Sequence, residues 1–118
     1  MRILIHAVAA TIATIVLVSP ASASFYTYAE WAALSEAGRS TYIAGLFDGM
    51  VNFVTHETLG MAEHYRQCLG NAKMNNSQLA ENVRVYASTR PNLQQAVSGA
   101  LINYVIQLCG KPPSAPER

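Results

Sequence analysis

The residue pattern predicts an all-α protein, a small bundle of about four to five helices closed by one disulfide and preceded by a cleaved signal peptide. Three observations carry that expectation. Apolar residues recur at three- and four-residue spacing through most of the chain, and no alternating strand-type run interrupts them. The cysteines number 2, Cys68 and Cys109. The amino terminus reads as an export signal.

In that signal Arg2 supplies a positive start, and Ile3 to Val18 form an apolar stretch interrupted by His6, Thr11 and Thr14. The stretch is shorter than the roughly 20 residues of a membrane span, and it runs into the small-residue cleavage site Ser19-Pro20-Ala21-Ser22-Ala23. The expected organisation is a signal peptide over 1–23, a helical domain over 24–112 and an extended tail over 113–118. A mature chain starting at Ser24 has no second long apolar run, so no integral membrane span is expected. Export to the periplasm places both thiols in an oxidising compartment, which predicts a Cys68–Cys109 disulfide. A loop of about 40 residues closed this way stabilises by about 4 kcal/mol in the chain-entropy model.

A first short helix is expected from Tyr28 to about Leu34, with Trp31 as an anchor. Ser35 is a suitable N-cap for the longest helix, which runs to about His56. Its stripe of Tyr42, Ile43, Leu46, Phe47, Met50, Val51, Phe53 and Val54 spans about half the circumference at 100° per residue, marking a central helix. Gly45 and Gly49 sit inside it one turn apart, each costing about 1 kcal/mol relative to alanine. The expected offset is close approach of another helix, within the monomer or across a dimer; Asp48 between them reads as solvated.

Past Thr55 the pattern weakens. Met61, Ala62 and Tyr65 mark a short helical piece ending near Cys68, and 69–76 reads as a loop. Asn75 with Gln78 three residues on forms a capping box, and Met74 with Leu79 a hydrophobic staple, starting a helix with Leu79, Val83 and Tyr86 on one face. Thr89 to Asn92 is a tight connection, and Pro91 suits the first turn of a last helix that buries Leu93, Val97, Ala100, Leu101, Tyr104, Val105 and Leu108. Gly110 stops that helix, and Pro112, Pro113 and Pro116 keep the tail extended. Ile102 and Ile106 fall outside the stripe and need a second layer or a partner surface.

Charge excludes some function classes. Lys and Arg total 8 against 7 Asp and Glu, and loss of Arg2 leaves a neutral chain with scattered charges. Nothing marks a nucleic-acid footprint. Catalytic constellations are not evident either. His56-Glu57 is followed by Gly60 where a helical zinc-protease motif needs histidine, and His56 and His64 would lie about 12 Å apart on a continuous helix. The reading is therefore a binding protein, not an enzyme, with no cofactor or metal.

Two runs point further. Trp31-Ala-Ala-Leu-Ser35 and Arg39-Ser-Thr-Tyr42-Ile-Ala-Gly45-Leu-Phe-Asp48-Gly49 resemble the opening helices of the Rap/Tai family, periplasmic immunity proteins against type VI secretion amidase effectors. Asn75-Asn-Ser-Gln-Leu79, the Arg90-Pro91 junction, and Ala100-Leu101 leading to Cys109 follow the same family order. The chain departs from many members in having a single cysteine pair, with Leu69-Gly70 after Cys68 and Leu108 before Cys109. What the resemblance implies is a helical, often dimeric protein that pushes a loop or helix end into a peptidoglycan amidase groove. The exposed connections are the expected partner-binding residues: Asn71, Lys73 and Asn75 before one helix, Arg90 and Asn92 before the last. Gly45, Gly49, Ile102 and Ile106 are the expected helix-packing or homodimer contacts. The competing expectation is an acid-stress chaperone of the HdeA type, driven by protonation of the carboxylates and histidines; an envelope protein of another role is a third.

Overall fold

In the computed structural model the described residues are 25–53 and 58–113. They form five α-helices, α1 (Tyr28–Ala32), α2 (Glu36–Asn52), α3 (Leu59–Asn71), α4 (Asn76–Ser88) and α5 (Val97–Cys109), with a 3₁₀ turn at Pro91–Leu93 before α5. Among the described residues there is no strand, and no helix is long and apolar enough to cross a membrane. The expected signal peptide and its cleavage site, Val54, His56, Glu57 and Pro116 lie outside these residues.

Helices α1, α2 and α4 begin where a local side chain supplies a cap. Thr27 and Glu30 form a capping box at α1: the Glu30 amide donates to Thr27 Oγ1 at 3.3 Å and the Thr27 amide to Glu30 Oε2 at 2.8 Å. Those hydrogen bonds hold the Glu30 carboxyl below its ordinary range. The helix ends at Ala32, short of the expected Leu34, and the Arg39 Nη1 donates to the carbonyls of Ala32 at 3.3 Å and Leu34 at 2.5 Å. At α2 the Gly38 amide donates to Ser35 Oγ at 3.1 Å, as the N-cap reading requires. The capping box expected at α4 is present, with the Gln78 amide donating to Asn75 Oδ1 at 2.9 Å and the Asn75 amide to Gln78 Oε1 at 3.0 Å.

Several boundaries differ from expectation. Helix α3 does not stop near Cys68: Ala62, Tyr65 and Leu69 recur on one buried face and carry it through Gly70 to Asn71. The expected loop over 69–76 shrinks accordingly to Ala72–Asn75. Lys73, at φ 51°, makes the turn; its amide donates to the Gly70 carbonyl at 3.0 Å and the Met74 amide to the Leu69 carbonyl at 3.2 Å, a Schellman closure. Pro91 opens the 3₁₀ turn instead of α5, so Leu93 lies before the last helix. Long-range bonds explain this. The Tyr28 amide donates to the Gln94 carbonyl at 3.0 Å, the Val97 amide to the Tyr26 carbonyl at 3.1 Å, and Gln94 Nε2 to the Ala87 carbonyl at 2.9 Å. Together they hold this strip out of helical register.

The core gathers Trp31, Ile43, Val83, Val97, Leu101 and Val105, all fully buried. Trp31 also donates its indole N–H to the Arg39 carbonyl at 3.3 Å, tying α1 to α2. Helix α2 packs against α3 and α4, which in turn meet α5. Phe53 does not join the core as its stripe position implies. It is the C-cap of α2, after the helix has ended, and is 92% exposed. Leu108 is likewise 43% exposed, in the last turn of α5.

The Cys68–Cys109 disulfide is present, with a Cα–Cα distance of 5.7 Å, and joins the ends of α3 and α5. Beside it His64 Nε2 lies 3.1 Å from the carbonyl of Gly110, whose φ of 75° stops α5.

Candidate functional site

Helix α4 keeps the two groups of expected partner-binding residues apart. Asn71, Lys73 and Asn75 lie at its start, whereas Arg90 and Asn92 lie beyond its end. The 12 residue steps from Asn76 to Ser88 span about 18 Å. At the start end Asn71 is the last residue of α3, the Lys73 backbone makes the left-handed turn and the Asn75 side chain caps α4; all three are exposed. The two groups therefore stand at opposite ends of α4.

At the other end a preformed unit appears. The Arg90 guanidinium carbon stands 3.9 Å from the centroid of the Tyr86 ring, and its Nη1 donates to the Tyr86 carbonyl at 2.7 Å. Tyr86 meets Tyr104 of α5 edge-on, with ring centroids 5.6 Å apart. These residues, with Asn82, Val85 and Thr89, line an open groove between α4 and α5. Val85 is 56% exposed, and Asn92 is exposed nearby on the 3₁₀ turn. Among the described residues no carboxylate lines the groove.

Sequence reasoning found Arg90 but assigned Tyr86 and Tyr104 to the core. Both are in fact half-buried, with one edge reaching the groove. The signal was available: Tyr86 and Arg90 are spaced i, i+4, the spacing at which a cation reaches an aromatic ring one turn away. Val85 carried a signal too, as an apolar residue outside the Leu79, Val83 and Tyr86 face.

A second crevice, between α2 and α4, is lined by Glu36, Arg39, Ser40, Ser77, Ala80 and Glu81. Most of its polar groups already have partners. Ser40 Oγ and Ser77 Oγ are 3.2 Å apart, and Arg84 grips Glu81 with two bonds of 2.6 and 2.8 Å, holding that carboxyl below its ordinary range. Arg39 is spent on the carbonyls that end α1 and faces the charge of Glu81.

The expected helix-packing residues separate. A Cβ built on Gly45 or Gly49 meets nothing within 4 Å, so neither glycine admits another helix of the same chain among the described residues. Gly38 is the tight position, where a Cβ would stand 3.3 Å from Leu34 Cβ and Ser35 Oγ. Ile106 packs half-buried against the core, whereas Ile102 is 44% exposed. Among the described residues no three His, Cys, Asp or Glu side chains stand together as a metal site. Comparison with protein-family models, curated proteins and solved structures finds no match for this chain.

Proposed function

We propose that this chain is an exported helical binding protein that acts as the Rap/Tai resemblance implies, neutralising a peptidoglycan amidase in the periplasm by covering its active-site groove. The observation that supports this reading is the Tyr86–Arg90–Tyr104 unit at the end of α4. Tyrosine and arginine dominate the energetic centres of protein interfaces, because both bury large area at small entropic cost per contact. Here the arginine is held in place before any partner arrives, which lowers the ordering cost of association. Exposed Val85 and the adjoining 3₁₀ turn extend the same face.

The test is capture from envelope and secreted fractions with mature, oxidised protein at neutral pH. Expected is one stoichiometric peptidoglycan amidase whose hydrolysis of purified sacculi is inhibited by added protein. Recovery of many unrelated proteins, and only at acidic pH, would replace this reading with the acid-stress chaperone. Capture of an amidase that remains fully active in the complex would refute inhibition.

A further inference from the structure

We propose that the Arg90 guanidinium is a docking point for a carboxylate side chain of a protein partner, whose adjacent apolar residue covers Val85 and Tyr104. Arginine carries five N–H donors in a rigid fork. Arg90 spends Nη1 on the Tyr86 carbonyl at 2.7 Å and on Thr89 Oγ1 at 3.4 Å. The edge formed by Nε and Nη2 has no partner among the described residues, and on this half-buried side chain it keeps contact with solvent, since no fully buried side-chain nitrogen lacks a hydrogen bond. That edge presents two parallel N–H bonds, the geometry a carboxylate accepts bidentately.

Three features distinguish Arg90 from the other arginines among the described residues. Its plane is fixed over the Tyr86 ring, so little side-chain entropy remains to be lost on binding. The groove around it holds no acidic residue, whereas Arg84 is closed on Glu81, Arg66 is engaged by Glu63 and the Val51 carbonyl, and Arg39 faces Glu81. Apolar surface from Val85 and the edge of Tyr104 flanks the charge, so a partner residue packed there screens the ion pair from water and strengthens it. Charge complementarity therefore names the occupant as a segment with an aspartate or glutamate beside a large apolar residue. The inference rests on the groove being a protein-binding face, and it holds whether or not the partner is an amidase.

The experiment is an NMR titration of the oxidised protein with the peptide acetyl-Leu-Asp-Phe-amide, following the Arg90 Nε–H and the Tyr104 ring. Expected are saturable shifts of both groups, an affinity at least tenfold weaker for the matching asparagine peptide, and a similar loss in Arg90→Gln. Val85→Ser, at an exposed site, should weaken the acidic peptide severalfold and leave binding of sodium acetate unchanged. If Arg90→Gln does not fold, the aspartate and asparagine peptides compared on the natural chain decide the matter. Equal affinity for those two peptides, equal affinity for sodium acetate and the acidic peptide, or no saturable shift would each overturn the proposal. None of these outcomes depends on whether an amidase is captured.

Discussion

Lys73 stands at φ 51°, in the left-handed region that costs an L-residue about 1–2 kcal/mol. It completes the Schellman closure of α3, a place usually taken by glycine. Lys73→Gly should therefore raise stability by about 0.5–1 kcal/mol, seen as a melting temperature several degrees higher, with part of the gain offset by glycine's greater freedom when unfolded. A lower melting temperature would mean that the lysine side chain contributes more than the strain it bears. Two residues on, Asn75→Ala removes the side-chain acceptor of the Gln78 amide, while the alanine amide can still donate to Gln78 Oε1, and should destabilise by about 1 kcal/mol in urea unfolding. Lys73 and Asn75, both expected partner contacts, thus also have structural roles. Arg90 has a structural reason too, yet part of its hydrogen-bonding capacity is left over.

At the scale of the element, α2 separates two meanings of a helical glycine. Gly38 sits tight against Leu34 and Ser35, but Gly45 and Gly49 face open space among the described residues. Alanine at either site should stabilise the isolated chain by up to about 1 kcal/mol. A double variant, Gly45→Ala with Gly49→Ala, compared by thermal melting and by sedimentation, tests this. A raised melting temperature with unchanged mass would assign the glycines no packing role; loss of a dimer would assign them to a self-contact. The ends of the helices were readable to the extent that their causes are local. Ser35, Asn75 and Gly110 act on backbone within a few residues, so their types and spacing were sufficient. Thr27-x-x-Glu30 carries the same local signature at the start of α1. The onset of α5 was not local: Gln94 and Val97 are bonded to Tyr28 and Tyr26, and no periodicity reports such a bond. Phe53 misled for a related reason, because helical phase predicts a face only while the helix continues.

For the whole molecule, the disulfide couples α3 to α5 across 41 residues. Cys109→Ser should cost about 2–5 kcal/mol, and reducing agent should lower the melting temperature of the natural chain but not of the variant. A variant that melts like the natural oxidised protein would show that packing alone fixes α5. Acid should also destabilise the fold. Glu30 and Glu81 have carboxyls held below the ordinary value of 4.5 by hydrogen bonds, so each binds its proton less readily when folded than when unfolded. Their contribution is present above about pH 4.5 and fades as pH falls below it toward their folded values. Glu30→Gln should reduce the acid-side loss measured by melting between neutral pH and pH 3. A slope identical to that of the natural chain would remove the capping box from the pH response.

By itself the sequence determined the helical class, the cysteine pairing and most of the core, because a 3.6-residue period, two thiols and local caps each leave a mark within a few positions. It also pointed to Arg90. Tertiary structure decided that α3 runs through Gly70, that Pro91 belongs to a separate turn, and that Asn71, Lys73 and Asn75 are divided from Arg90 and Asn92 by the length of α4. It alone brought Tyr104 to Tyr86 and left the groove beside Arg90 without a carboxylate. The physical reason is range: caps and periodicity act within one or two turns, whereas a binding face is made where helices distant in sequence meet.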